Sequence, residues 1–229
     1  IRPGTSGQYS ARVFTVSTFG TNANGNLTCG RVNAGSTTPT NSSNYNYSQI
    51  SDANFSEAFT SWPDSIVFWA KYNPSNQNST ARVNAVIHNN NSYRDPMDAA
   101  SPSYIVASAG LNYTSNGNVW QRISVPFNYT GPATAPSFIL ITFTSNSTPG
   151  GGNGGDEVFI DDMEFIYNPI TTTATTINPL VYNVSATQGT NISIPFTKTG
   201  IFQFGNTFTA QLSDASGSFA SPVNIGTLS

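Results

Sequence analysis

An aromatic ring flanked by hydrogen-bonding side chains is the arrangement a sugar needs, because its C–H face stacks on the ring while its hydroxyls take directional bonds. Two runs of this chain offer one. In residues 65–72, Ile66, Phe68, Ala70 and Tyr72 form one face, and Val67, Trp69 and Lys71 the other. In residues 81–88, Ala81, Val83, Ala85 and Ile87 form the core face, with Arg82, Asn84, Val86 and His88 opposite, by the period of two that a strand imposes. If residues 73–80 join the runs as a hairpin, Trp69, Lys71, Arg82, Asn84 and His88 share one sheet surface. The polar loop that follows ends in Tyr93, Arg94 and Asp95, the chain's densest mixture of aromatic and ionisable groups. Trp69 and Tyr93 are therefore candidates for stacking, and Arg82, Asn84, His88, Arg94 and Asp95 for hydroxyl bonding. Trp62, where a loop enters a strand, is a further ligand candidate. Trp120 reads as a cap on the fold, and Tyr45 and Tyr47, in a loop of Asn and Ser, are further ligand candidates that the sequence does not place. The plainer alternatives are that Trp69 packs beneath a loop or terminal segment, and that His88, the single histidine, is a satisfied structural group.

The acidic residues concentrate in a glycine loop and the strand it feeds, residues 150–167. If Met163 and Phe165 face a core, Phe159 and Asp161 share that side, while Asp162 faces away. A carboxylate on a buried face needs an arginine, backbone donors or a cation. Asp161 is accordingly a structural carboxylate or a Ca²⁺ ligand, with residues 20–26 as a source of carbonyl oxygens. Strand parity keeps Asp161 and Asp162 from flanking one glycosidic bond. A glycoside-cleaving pair would have to come from Asp95 with Asp98 or Asp64. There is no Ser/His/Asp signature, HExxH, phosphate-cradling loop or zinc spacing.

Composition narrows the partners. In 229 residues there are eight basic side chains and a net charge of −3, so no cationic stripe exists to offset nucleic-acid phosphates or an anionic membrane. No apolar run approaches the roughly 20 residues needed to span a bilayer. Cys29 has no second cysteine to pair with and reads as a small buried side chain. The chain starts at Ile1 without methionine or leader, and reads as a fragment of a processed, exported protein.

Stepping along the chain, β-branched and aromatic runs recur at 9–18, 65–72, 81–88, 104–109, 119–127, 138–144 and 158–167, separated by Gly, Asn, Pro and Ser clusters. None keeps a helical stripe for three turns, although residues 51–59 fit a short helix. The pattern predicts an all-β protein, an antiparallel jelly-roll β-sandwich over residues 1–168. A Thr-rich, proline-bracketed stretch at 168–179 then reads as a linker or edge strand. Three further strand candidates follow, at 180–185, 191–196 and 207–213. They are too few to close an immunoglobulin-like sandwich, so residues 169–229 are expected to be its N-terminal part.

The ordered segments Trp62-Pro-Asp-Ser-Ile-Val-Phe-Trp-Ala-Lys-Tyr72, Ala81-Arg-Val-Asn-Ala-Val-Ile-His88, Tyr93-Arg-Asp-Pro96, Trp120-Gln-Arg-Ile-Ser-Val-Pro-Phe127 and Asp156-Glu-Val-Phe-Ile-Asp-Asp-Met-Glu-Phe-Ile-Tyr167 resemble the putative carbohydrate metabolism domain of Bacteroidota surface proteins. The resemblance implies a jelly roll like that of carbohydrate-binding modules. The tail, with Phe204-Gly-Asn-Thr-Phe-Thr-Ala-Gln-Leu-Ser-Asp-Ala-Ser-Gly-Ser-Phe219, is similar to the start of β-sandwich modules repeated in large secreted proteins of the same bacteria. That likeness implies further domains of the same polypeptide, type IX secretion, and a secreted or cell-surface location.

The expectation is a non-catalytic module that binds a polysaccharide or other glycan. A structural or adhesive sandwich without a small ligand is the alternative; it predicts a covered Trp69 and no concave aromatic cleft. A glycoside-cleaving enzyme is the third reading.

Overall fold

Alternating small and β-branched residues make the long strands of this all-β protein, described here from a computed structural model over residues 2–178, 181–185 and 187–229. The chain forms two units, Ile1–Tyr167 and Asn168–Ser229. Eight strands frame the first: β1 (Ala11–Phe14), β2 (Asn26–Thr28), β3 (Ser65–Asn73), β4 (Ala81–His88), β5 (Ile105–Tyr113), β6 (Gln121–Pro126), β7 (Phe138–Thr144) and β8 (Glu157–Ile166). They pair antiparallel in two sheets, ordered β1-β8-β3-β6 and β2-β7-β4-β5. With the chain passing from sheet to sheet at all but one connection, this is the strand order of a jelly roll.

Between the sheets lie the alternate residues expected there. Ile66, Phe68, Ala70 and Tyr72 of β3 and Ala81, Val83, Ala85 and Ile87 of β4 are all fully buried. Phe68 sits at the centre, edge-on to Phe143 at 4.9 Å and tilted against Tyr113 at 5.8 Å.

The hairpin expected between β3 and β4 does not form. β3 pairs with β8 and β6, and β4 with β7 and β5, so residues 73–80 cross from one sheet to the other. Both core faces are satisfied by facing each other across the interior, whereas in a hairpin they would lie side by side. Trp69 and Lys71 therefore lie on the opposite outer face of the sandwich from Arg82, Asn84 and His88.

A third layer covers part of the second sheet. Strands Arg31–Ala34, Asn44–Tyr47 and Arg94–Asp95 form a small sheet with Asn44–Tyr47 in the middle. Tyr93, at its edge, packs with Val86 and Leu140 in a second, separate apolar cluster. This explains why Val86 and His88, on the face opposite the main core, are buried.

The acidic strand departs from simple alternation. Asp161 is opposite Trp69 and Glu164 is opposite Val67, so three steps on β8 match two on β3. The extra residue is a β-bulge, with Asp162 at φ +44°. Val158 and Ile160 point into the core before the bulge, and Phe165 packs against it afterwards. Asp161 thus faces outward, contrary to the inward position that unbroken parity assigns it.

Other differences are local. Residues 51–59 form turns and not a helix, with Asp52 Oδ1 accepting the Asn54 N–H, and Glu57–Ala58 pairs with β7. Residues 9–18 split at the buried Thr15 into β1 and Val16–Thr18, which forms a hairpin with Thr21–Ala23. In the second unit, Thr171–Ala174 pairs with Phe196–Thr199, the edge-strand alternative for the Thr-rich stretch. Phe208–Leu212 pairs with Val223–Leu228, and Phe208 packs on Phe196 and Phe202. Of the strand expected at 180–185, Leu180 lies outside the described residues and 181–185 are not extended into a ladder.

Phe68→Ala is expected to cost about 3–5 kcal/mol of the first unit's stability, and Phe68→Leu clearly less. Denaturant unfolding of the two variants measures the difference.

Candidate functional site

The outer face of the second sheet carries a row of side chains, Asn26, Thr144 and Arg82, in direct register across β2, β7 and β4. These line a cleft of about 1100 Å³. One wall is the small third sheet, contributing Val32, Asn33, Asn44, Tyr45 and Asn46; the other is the hairpin of Val16–Thr18 and Thr21–Ala23. Asn22 and Asn24 tie that hairpin to the loop after β7 by donating to the carbonyls of Gly152 (2.9 Å) and Thr148 (2.8 Å). Asn26 Nδ2 donates to Asn46 Oδ1 at 2.7 Å, linking row to wall. The surface is one of amides, hydroxyls and a few rings.

One ion pair locks the third sheet to the sandwich. The Arg82 guanidinium donates two parallel bonds to Asp95, both at 3.0 Å, and Asn84 Nδ2 donates a third at 3.0 Å. The Asp95 side chain is only 7% exposed. A buried carboxylate is tolerable only with such partners, and the fork matches it geometrically. Arg82, Asn84 and Asp95 thus do come together. The Asp95 carboxylate is largely spent on these three bonds, whereas Arg82, which lines the cleft, has N–H groups beyond the two that Asp95 takes.

His88 is a structural group. Its ring is fully buried between Tyr93 (5.6 Å) and Phe138 (5.9 Å). Nδ1 lies 2.9 Å from the Asn89 carbonyl, so it carries the hydrogen, leaving Nε2 to accept from Ser48 Oγ at 2.8 Å. Burial pushes its pKa down to about 4. The stacking assigned to Tyr93 and the hydroxyl bonding assigned to His88 are therefore corrected: Tyr93 is itself buried, with its ring against His88.

Arg94 braces the cleft from outside. Its guanidinium lies 3.6 Å from the centre of the Tyr45 ring, donates to the Ser42 carbonyl at 2.6 Å and approaches Asp98 at 3.6 Å. Asp98 also accepts from Ser101 N (2.9 Å) and Oγ (2.7 Å), at the start of the 3₁₀ turn Ser101–Tyr104. Those bonds hold its carboxyl below the usual range.

Trp69 lies elsewhere and is covered. The Arg2 guanidinium sits 4.6 Å over its ring. Arg2 also bonds Asp162 through both Nε and Nη2, its backbone N–H reaches Asp161 at 3.4 Å, and Thr5 Oγ1 donates to Asp162 at 3.0 Å. The bond from Arg2 is the main reason Asp162 stays below the ordinary carboxylate range. The bulge brings Asp161 and Asp162 to one patch, where they hold the N-terminal segment down. Through Arg2 that segment caps the half-buried Trp69, as the plainer alternative had it. No three His, Cys, Asp or Glu side chains gather as a metal-binding group among the described residues. Trp62 closes one end of the sandwich, stacked on Tyr129 at 5.2 Å and packed against the main core, so its ligand role is also corrected.

Of the cleft's two aromatic rings, Tyr45 is among the candidates the sequence offers, without a place in the fold, and Phe19 is not. Phe19-Gly20, an aromatic residue beside a glycine between two short polar runs, was the available signal of a hairpin tip.

No family model and no curated protein matches the chain. Among solved structures it is similar to a putative glycoside hydrolase from Bacteroides thetaiotaomicron VPI-5482, with a TM-score of 0.50 and 17% identity over 70% of this chain and 54% of that one. A putative glycoside hydrolase from Bacteroides vulgatus ATCC 8482 also gives 0.50, at 16% identity over 72% of this chain and 75% of that one. The chain spans just over half the length of the first. At such identities the likeness establishes a shared β-sandwich fold.

Two outcomes follow from this geometry. Arg82→Ala leaves Asp95 with Asn84 alone and should cost about 3 kcal/mol, much of it recovered in the Arg82→Ala/Asp95→Ala double variant, as denaturant unfolding would register. For His88, the unfolded imidazole titrates near 6.5 and the folded one near 4. Between these values the unfolded chain binds a proton that the fold refuses, so stability is full above about pH 6.5 and declines as pH falls toward 4. His88→Gln should be less stable at neutral pH yet show a shallower decline across that window; an unchanged slope would remove His88 as its cause.

Proposed function

We propose that the first unit is a non-catalytic carbohydrate-binding module, with the cleft over Asn26, Thr144 and Arg82 as its glycan site. The observation that carries this reading is the cleft itself: an open concavity lined by Asn, Ser and Thr side chains and Arg82 together with apolar groups, with the Tyr45 ring packed under the Arg94 guanidinium. Ordered polar groups around a fixed aromatic ring suit a ligand with many hydroxyls and an apolar C–H face. The naming of both Bacteroides neighbours as putative glycoside hydrolases agrees with a carbohydrate partner.

Two acids of the glycoside-cleaving alternative are engaged in holding the fold. Asp95 receives three side-chain bonds from Arg82 and Asn84, and Asp98 caps the turn at Ser101. The reading therefore favours binding without bond cleavage. It extends to a secreted or cell-surface protein in which this module delivers a larger polypeptide to a polysaccharide, with the second unit as the start of an immunoglobulin-like spacer.

Titration calorimetry against a panel of plant, algal and bacterial polysaccharides should give binding to at least one. Tyr45→Ala should weaken it about tenfold, and Trp69→Ala, on the far face, should leave it intact. Absence of binding at millimolar sugar would sink the proposal. Release of reducing ends, abolished in Asp95→Asn, would replace it with an enzyme.

A further inference from the structure

The hairpin wall of the cleft ends in an anomaly. Val16 pairs with Ala23, Ser17 with Asn22 and Thr18 with Thr21, leaving Phe19 and Gly20 as a two-residue turn. Both have positive φ, +50° and +75°. A two-residue turn of this kind is made most cheaply by Asn-Gly or Asp-Gly, since the left-handed region suits short polar side chains and glycine. A bulky aromatic residue there is strained.

The fold receives nothing in return. Phe19 is fully exposed, at 102%, and among the described residues no ring or cation pairs with it. It nevertheless lines the cleft, at the tip of the hairpin wall, as Tyr45 does from the third sheet. A residue that is costly to its own turn and useless to the core has its use in something that enters the cleft.

The charge of the cleft narrows what that is. Arg82 and Asp95 are the ionised side chains among its lining residues, and they neutralise one another through the two 3.0 Å bonds. By residue type the rest of the lining is mostly Asn, Ser and Thr, with Phe19, Val32, Tyr45 and three prolines among them. More of its surface is apolar than polar, as suits the C–H faces of a sugar as well as its hydroxyls. A uronate or sulfate would find no unpaired cation among the lining residues.

We propose that Phe19 is the stacking platform of the cleft and that its ligand is an uncharged oligosaccharide. This rests on the carbohydrate reading above and adds to it the ring that holds the sugar and the class of sugar held. One pyranose ring lies with its C–H face on Phe19, and its hydroxyls reach the amides and the spare N–H groups of Arg82.

Calorimetry on the whole chain tests it, with xylan, mannan, galactan and mixed-linkage glucan as neutral probes and polygalacturonate, alginate and chondroitin sulfate as anionic ones. Neutral polymers should bind with an affinity unaffected by added salt. Phe19→Asn should lower that affinity about tenfold while the midpoint of thermal unfolding stays level or rises, because the turn is relieved; Phe19→Trp should keep binding. Neutral-glycan binding that survives Phe19→Asn unchanged would overturn the platform and leave the carbohydrate reading standing. Binding confined to anionic polymers and lost in salt would overturn the uncharged class. Phe19-dependent sedimentation with phosphatidylcholine or phosphatidylglycerol vesicles, without glycan binding, would overturn the ligand class. Failure to bind any glycan or vesicle would remove both readings together.

Discussion

The paired side chains of Arg82 and Asp95 decide whether this molecule has a cleft at all. Two layers suffice for a jelly roll, and a third is needed only to raise a wall above its outer face. The third sheet is small and polar, and its apolar contribution is essentially Tyr93 against Val86 and Leu140. An almost completely enclosed carboxylate with a matched guanidinium supplies the orientation that so little apolar area cannot. Such pairs add less to net stability than they add to geometry, because desolvation offsets much of the Coulombic attraction. Here the geometry is the point: the same arginine fixes the wall and floors the space beside it.

The opposite face of the sandwich shows the same economy with different chemistry. A bulge in β8 turns two adjacent acids to one side, and Arg2 spans both while covering an indole. Without the bulge, Asp162 would face the other side of the strand. The extra residue thus converts a strand edge into a clasp for the N-terminal segment. It also explains why the most acidic part of the chain is a fastening.

Much of the sandwich could be read from alternation, because β3 and β4 bury alternate residues on one face and the interior admits no other register. What alternation cannot tell is which sheet each strand joins. A hairpin and a crossing between sheets leave the same pattern in 65–88, and only pairing with β7 and β8, far along the chain, distinguishes them. The strands Asn26–Thr28, Arg31–Ala34 and Asn44–Tyr47 were invisible for a second reason: their asparagines disfavour strands in isolation and are held there by side-chain bonds such as Asn26 to Asn46. The candidate site was legible as chemistry more than as place. Arg82, Asn84 and Asp95 do meet, but Trp69, Tyr93 and His88 were assigned an exposure that the N-terminal segment and the third sheet remove.

The pairing of β1 with β8 has a further consequence, in time. Ala11 lies opposite Ile160, so the first strand to be synthesised waits for the last before its ladder can form. β3 can pair with β6 on one side but waits for β8 on the other. Sheets closed by such distant partners form slowly and only after the whole unit is available. In sequence the apolar strands are separated by long stretches of Asn, Ser, Thr and Gly. Those same polar stretches, once β8 closes the sheet, supply much of the wall of the finished cleft.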